Sequence, residues 1–392
     1  MPLTALAGGQ PLPMRVQPEL DPASGLPRHI NALDGLRGVA ILLVLLHHFL
    51  LYRPTQSLPG QLLNGFVGFG WSGVDLFFVL SGFLITGILF DSKEKARYFR
   101  NFYARRTLRI FPLYYGMLFL CTFIVPRIGI LKDGAPDGSS WWWWVYVSNF
   151  RYAFHPERSM GWIGIFWSLA VEEHFYLVWP GVIYFCTRRQ AMIVSIACVG
   201  LASIARGLFI LHGNSFAPYV LTPCRMDSLA AGALIALTAR GPGGIGSLQR
   251  PSAWIGILAA PCALAVVIWR HSIVWDPWVQ MVGFPLITCS FACLLAISAN
   301  PFGPKRWRAV LESRSLRAIG KYSYGMYVFH FAVEGIITHA PGYPFYVFPP
   351  QFDRLNELFQ FLILSAATFA VAFVSWHLYE SRFLRLKRYF GD

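Results

Sequence analysis

Apolar stretches of roughly twenty residues recur along almost the whole chain, separated by short polar or Gly- and Pro-bearing connections. Ten are recognisable, near 35–52, 66–90, 109–126, 163–186, 191–211, 223–239, 253–270, 279–299, 317–338 and 357–379. At about 1.5 Å of rise per residue, each is long enough to cross roughly 30 Å of hydrocarbon as a helix. The pattern predicts an all-α integral membrane protein, a bundle of about ten transmembrane helices. Residues 1–30 are Pro- and Gly-rich and lack an apolar core after a basic start, so they read as a disordered cytoplasmic leader rather than a cleaved signal. Residues 31–385 are then the transmembrane domain and 386–392 a basic cytoplasmic tail.

Composition agrees with this reading. A chain of 392 residues with 55% hydrophobic and 13% charged side chains has too little charge for a soluble surface. Its mean hydropathy is +0.48. The formal charge of +14 would suit nucleic acid, but its distribution describes topology instead. With the N-terminus inside, one inner segment collects Lys93, Lys95, Arg97, Arg100, Arg105, Arg106 and Arg109. Another holds Lys305, Arg306, Arg308, Arg314 and Arg317, and the tail adds Arg382, Arg385, Lys387 and Arg388. The opposite side holds mainly Arg53, Arg127, Lys132, Arg151, Arg158, Arg270 and Arg354. This is the positive-inside asymmetry, which makes both termini cytoplasmic and absorbs the basic excess without a nucleic-acid partner. A long outer loop near 127–162 carries turn residues from Asp133 to Gly138 and then Trp141 to Trp144, suiting an interfacial belt or a sugar-stacking platform. The seven cysteines lie scattered in apolar spans without metal spacing, so no metal site is expected.

Chemistry enters with the first span. From Asn31 to His48, NALDGLRGVAILLVLLHH, a charged start and an apolar run end on a histidine where lipid belongs. At about 100° per residue, Arg37 and His48 share a helix face to within about 20° and stand roughly 16 Å apart. His47 is turned off that face by about 80°, Asp34 by about 40°. Ionisable groups at membrane depth are functional candidates because the bilayer makes them expensive. Counting from the span ends places His48, Asp75, the pair Glu172 and Glu173, and His330 in one slab of the outer half of the membrane. Neighbouring residues on a helix diverge by about 100°, so at most one of the two glutamates is expected to face such a chamber. Plainer roles stay open. A span histidine often bonds a neighbouring helix, and Asp75 suits either bracing a neighbour or orienting His48. Ser323, Tyr327 and His330, at i, i+4 and i+7, suit an interhelical seam or an acceptor site.

At the inner mouth, FYARRTLRIFP sets Arg106 and Arg109 three apart on one helix face, with Arg105 one turn before Arg109. Arg37 reaches the same level. Converging guanidiniums grip phosphate bidentately, although anchoring on lipid phosphates explains them too. No glycine-rich phosphate loop is present, so a phosphate-bearing donor other than a nucleoside triphosphate is expected.

Six blocks in order, ALDGLRGVAILLVLLHHF, FFVLSGFLIT, FYARRTLRIFP, WSLAVEEHFYLVWP, CRMDSLAAGALIA and GKYSYGMYVFH, resemble the membrane-bound acyltransferase-3 family from about residue 31 to 385. That family includes the O-acetyltransferases of lipopolysaccharide and other glycans. Its basic-residue, ten-position, histidine pattern falls on Arg37 and His48, and its paired-arginine motif on Arg106 and Arg109. The resemblance implies about ten spans in a bacterial inner membrane and acyl-CoA, simplest as acetyl-CoA, as co-substrate with no bound cofactor. The expected acceptor is a hydroxyl of a carbohydrate or lipid-linked glycan, and membrane lipids are the other partners. Arg37, Arg106 and Arg109 would hold the CoA phosphates and His48 would act as general base. Asp75, Glu172 and Glu173 are its candidate carboxylate partners, and Ser323, Tyr327 and His330 would meet substrate. A covalent acyl-histidine is the competing mechanism. The competing function is a multi-span transporter or flippase of a lipid-linked glycan, for which repeat symmetry is expected and none is evident.

Overall fold

The computed structural model describes residues 29–50, 57–128, 141–155, 161–339, 343, 347–349 and 352–391. Most of the leader and the Asp133–Gly138 turn lie outside them. The long helices are α1 (Asn31–Phe49), α2 (Leu58–Phe69), α3 (Gly73–Asp91), α4 (Tyr98–Phe119), α5 (Phe166–Phe185) and α6 (Arg188–Leu211). They continue as α7 (Thr222–Ala239), α8 (Gln249–Trp269), α9 (Phe284–Ala299), α10 (Arg314–Thr338) and α11 (Asp353–Ser375). No strand occurs among the described residues. Among them, eight helices are long and apolar enough to cross a membrane, with α2 and α3 counted as one. The chain is thus a multi-pass helical membrane protein. The long helices outside that set, α5 and α10, carry Glu172, Glu173, Ser323, Tyr327 and His330; these polar residues pull the helices away from the hydropathy of a lipid-facing span.

The helix starting at Tyr98 begins well before the span expected at 109–126. Hydropathy cannot see its first three turns because they are rich in arginine, yet arginine is a good helix former and its long stem lies along apolar neighbours. Arg105, Arg106 and Arg109 are therefore held on one rigid element rather than in a loop.

Helices α1, α3, α5, α7 and α10 form the interior, and α6, α8 and α11 lie outside. Leu201, Leu208, Trp254, Leu258, Leu362 and Val374 on the outer three are exposed, as side chains that face lipid must be. Without a hydrophobic drive between helices in lipid, close backbone approach does the holding. Gly82 and Gly232 permit it between α3 and α7: a methyl on Gly82 would overlap the Leu229 carbonyl, and one on Gly232 the Val79 carbonyl. Two buried ion pairs reinforce α7. Arg225 Nη2 reaches Asp75 Oδ1 of α3 at 2.7 Å, and Arg206 Nη1 of α6 reaches Asp227 Oδ2 at 2.7 Å. The Phe284 ring lies 4.3 Å from the Arg225 guanidinium and 5.7 Å from that of Arg206.

Gly82→Ala should therefore cost about 1–3 kcal/mol by overpacking, read as a lower thermal midpoint in detergent. Gly200→Ala, with nothing within 4 Å of the added methyl, should not. Asp75→Ala strands a buried guanidinium and should cost about 3–5 kcal/mol, much of it recovered by adding Arg225→Met. A wild-type midpoint for Asp75→Ala alone would show that the pair holds nothing.

Candidate active site

A cavity that mixes charged and apolar groups lies in the interior between α1, α3, α4, α5 and α10. At one end stand Arg37, Arg106 and Arg109; along it lie Ser81, Glu172, Glu173, Tyr176 and Ser323; at the other end stand Val74, Ser168 and Tyr327. Its α3 wall, from Val74 to Ile85, rises about 16 Å, the same span that separates Arg37 from His48 on α1. Phe77, Phe78 and Leu84 make the remainder of that wall apolar.

The walls are tied by hydroxyls. Tyr103 and Tyr98 of α4 donate to the Leu177 and Pro180 carbonyls of α5, at 2.8 and 3.1 Å. Tyr324 of α10 donates to the Ile110 carbonyl of α4 at 2.8 Å, and Trp179 Nε1 to Thr86 Oγ1 of α3 at 2.7 Å. Each bond closes a polar atom that lipid would leave unsatisfied.

Inside, Tyr176 donates to Glu172 Oε2 at 2.9 Å, so the Ser81 hydroxyl must donate to the Tyr176 oxygen. The Arg106 guanidinium lies 5.8 Å from both the Phe102 and the Tyr176 ring centroids. Arg37 bonds Asp34 at 3.1 Å, whereas Arg106 and Arg109 make no ion pair among the described residues. Glu173 Oε1 is buried without a hydrogen-bond partner. The two adjacent glutamates both line the cavity, one on each flank of the α5 face, where a single inward residue was expected.

Beyond Tyr327 stand two histidines. The His48 and His330 rings are 4.9 Å apart, Tyr327 lies 5.6 Å from His330, and Phe331 meets His48 edge-on at 4.7 Å. His48 Nδ1 lies 2.8 Å from the Val44 carbonyl and His330 Nδ1 lies 2.6 Å from the Tyr327 carbonyl. A carbonyl only accepts, so both Nδ1 atoms carry hydrogen and both Nε2 atoms keep a lone pair when the rings are neutral. His330 Nε2 is buried without a partner. His47 turns instead to the backbone of Val67 and Gly68 on α2.

Of the residues singled out in the sequence, Arg37, Arg106, Arg109, Glu172, Glu173, Ser323 and Tyr327 line the cavity, whereas His330 is packed behind Tyr327 and His48 behind His330, neither in the lining itself. Tyr327 also makes a seam, bonding the Ile165 carbonyl at 3.1 Å and the Ser168 hydroxyl at 2.5 Å. Asp75 goes elsewhere: Arg225 and Ser228 hold its Oδ1, and it does not line the cavity. Sequence reasoning passed over Arg206, Arg225 and Asp227, although each is a charge inside an apolar span. Tyr176 and Ser81 carried no such signal. In the tryptophan run, the Trp143 and Trp144 carbonyls accept from Tyr114 and Tyr115, and Trp143 is buried. Trp141 is exposed and stacks on Trp142 at 4.2 Å.

Comparison with known proteins places this architecture. Residues 30–377 match the acyltransferase-3 family, described as an acyltransferase domain. The chain is 29% identical over 373 residues to a protein of Bacillus subtilis named putative peptidoglycan O-acetyltransferase YrhL, covering 90% of this chain and 54% of that protein. It is 28% identical over 327 residues to O-acetyltransferase OatA of Staphylococcus aureus, covering 78% and 51%. It is 26% identical over 380 residues to peptidoglycan O-acetyltransferase OatA of Listeria monocytogenes, covering 90% and 56%. The chain thus spans about half the length of the curated relatives it matches. No solved structure matches it. With a family match over nearly the whole bundle and the three motif arginines converging on one cavity, this chain belongs to the acyltransferase-3 family of multi-pass membrane proteins.

Proposed function

We propose that this chain is a membrane O-acyltransferase that moves an acyl group, simplest as acetyl, from acyl-CoA to a hydroxyl of a glycan. The observation that carries the reading is a cavity lined at one end by three arginines and at the other by Tyr327, behind which His330 and then His48 are packed. The positive-inside asymmetry puts the arginine end in the cytoplasm, where acyl-CoA is available. Arg106 and Arg109, which make no ion pair among the described residues, bind the donor phosphates, and Arg37 borders them. The extended pantetheine arm runs along the α3 wall and offers its amide N–H groups to Glu172, Glu173, Tyr176 and Ser81.

Near Tyr327 the acceptor hydroxyl meets His48, whose Nε2 lone pair takes the hydroxyl proton as the oxygen attacks the thioester carbonyl. The CoA thiolate leaves, and the same proton returns to it from His48. His330 faces the acceptor from the opposite helix, with Ser323 and Tyr327 below it. Asp75 acts at a distance by holding α3 to α7 through Arg225. Two of the three relatives are named for peptidoglycan, one of them as a putative peptidoglycan O-acetyltransferase, which favours a polymeric or lipid-linked cell-wall glycan as acceptor. The transporter alternative is not favoured, because the relatives are O-acetyltransferases.

His48→Ala should lower turnover by about 10²–10⁴-fold with the donor KM little changed, while His47→Ala stays within a few fold of wild type. Acetyl-CoA consumption by the purified chain with muropeptide and lipid-linked acceptors measures this. Full turnover in His48→Ala would refute the base assignment. A single turnover with radioactive acetyl-CoA and no acceptor, stopped by rapid denaturation near neutral pH, should leave no label on the protein; label on His48 would replace direct transfer with the covalent route.

A further inference from the structure

Four cations gather at the arginine end of the bundle without a bonded carboxylate. Arg105, Arg106 and Arg109 lie on α4. Lys387 lies on the 3-10 turn Leu386–Phe390, close enough for its charge to feel all three. None of the four makes an ion pair among the described residues. Glu380 and Glu172 stand near Arg109 and Arg106 respectively, leaving the cations in excess.

The chain after α11 is seated against α4. A π-helical turn, Trp376–Glu380, follows α11, and there the Tyr379 hydroxyl donates to the Pro112 carbonyl at 3.1 Å. At the far end, Asn101 Nδ2 donates to the Gly391 carbonyl at 3.4 Å and Arg100 lies 5.6 Å from the Phe390 ring centroid. Asn101, Arg105, Arg109 and Pro112 follow helical spacing along one stripe of α4, so the tail covers the face that presents two of the arginines. Of the tail, residues 378–391 lie past the end of the family match at 377. Fixing an ammonium beside three guanidiniums is unfavourable by itself, and a polyanion between them reverses the sign.

We propose that the C-terminal turn is a wall of the donor site, Lys387 completing with Arg105, Arg106 and Arg109 a cradle for a multiply phosphorylated ligand. The ligand is the phosphate-bearing end of acyl-CoA, so the proposal rests on the donor reading above. A phosphate of an anionic lipid headgroup has the same chemistry, and the experiment separates the two. The full chain is reconstituted in nanodiscs of phosphatidylcholine, with or without phosphatidylglycerol, and equilibrium binding of acetyl-CoA is measured. In phosphatidylcholine alone, Lys387→Gln should weaken binding about tenfold and raise KM far more than it changes kcat. Lys387→Arg should recover most of the loss. Arg388→Gln, whose guanidinium bonds the neighbouring Tyr389 hydroxyl, should bind as wild type.

Unchanged acetyl-CoA affinity in Lys387→Gln overturns the proposal. So does a Lys387→Gln effect that appears only as lost competition by phosphatidylglycerol, which would assign the site to lipid. Arg106→Gln and Arg109→Gln tell which reading has failed. If they weaken donor binding and Lys387→Gln does not, the tail inference alone falls. If none of the three matters, the donor reading falls and takes this inference with it.

Discussion

A charge inside a bilayer has no water to answer it, so the protein must supply the partner, and the packing of this bundle follows from that constraint. Asp75, Arg225, Arg206 and Asp227 would be prohibitive singly; as two pairs they fasten α3 and α6 to α7. Such pairs give little net stability compared with apolar packing of the same volume. Their consequence is geometric, because each charge has one acceptable neighbour and the helices can adopt few other registers. The glycines at Gly82 and Gly232 let α3 and α7 approach closely enough for the Arg225 pair to form.

Once α3 is held on one side by α7, its other side is free to face α5 and the cavity. The inward polar groups divide into two populations. Some are closed against each other, such as Tyr98, Tyr103 and Tyr324 on backbone carbonyls. Among those without a bonded partner in the described residues are Arg106 and Arg109, which make no ion pair, and Glu173 Oε1 and His330 Nε2. A buried polar group that the fold leaves open costs free energy, and a chain under pressure only to fold would close it. Other buried polar atoms, such as Trp71 Nε1 and Gln280 Oε1, also lack a partner, but these four lie in line from the arginine end of the cavity to the histidine behind Tyr327.

The bundle was legible in the sequence because membrane burial leaves a one-dimensional trace: a span must be apolar for about twenty residues. That trace failed at the start of α4, where mouth-level basic residues hide three turns of helix, whereas α5 and α10 were found as spans in spite of their inward polar residues. The helical phase of Arg37 and His48 was equally legible, since 100° per residue is a property of the backbone and needs no partner. The same arithmetic separated His48 from His47, and the two rings do turn to different neighbours, His330 and α2.

Pairing between helices left no such trace. Asp75, Glu172, Glu173 and His330 look alike in sequence, as acids or bases at similar depth. Only the rotation of each helix about its axis decides that Asp75 turns to Arg225, both glutamates turn to the cavity, and His330 turns to His48. That rotation is set by side chains from elsewhere in the chain: Gly232 against Val79, Tyr327 against Ile165, Tyr324 against Ile110. The sequence by itself thus determined which residues lie in the membrane and which share a helix face, because both follow from local backbone geometry. Tertiary structure alone decided which charges are spent on holding the bundle and which are left open, because that depends on contacts between different helices, 21 residues apart for Arg206 and Asp227 and 150 apart for Asp75 and Arg225.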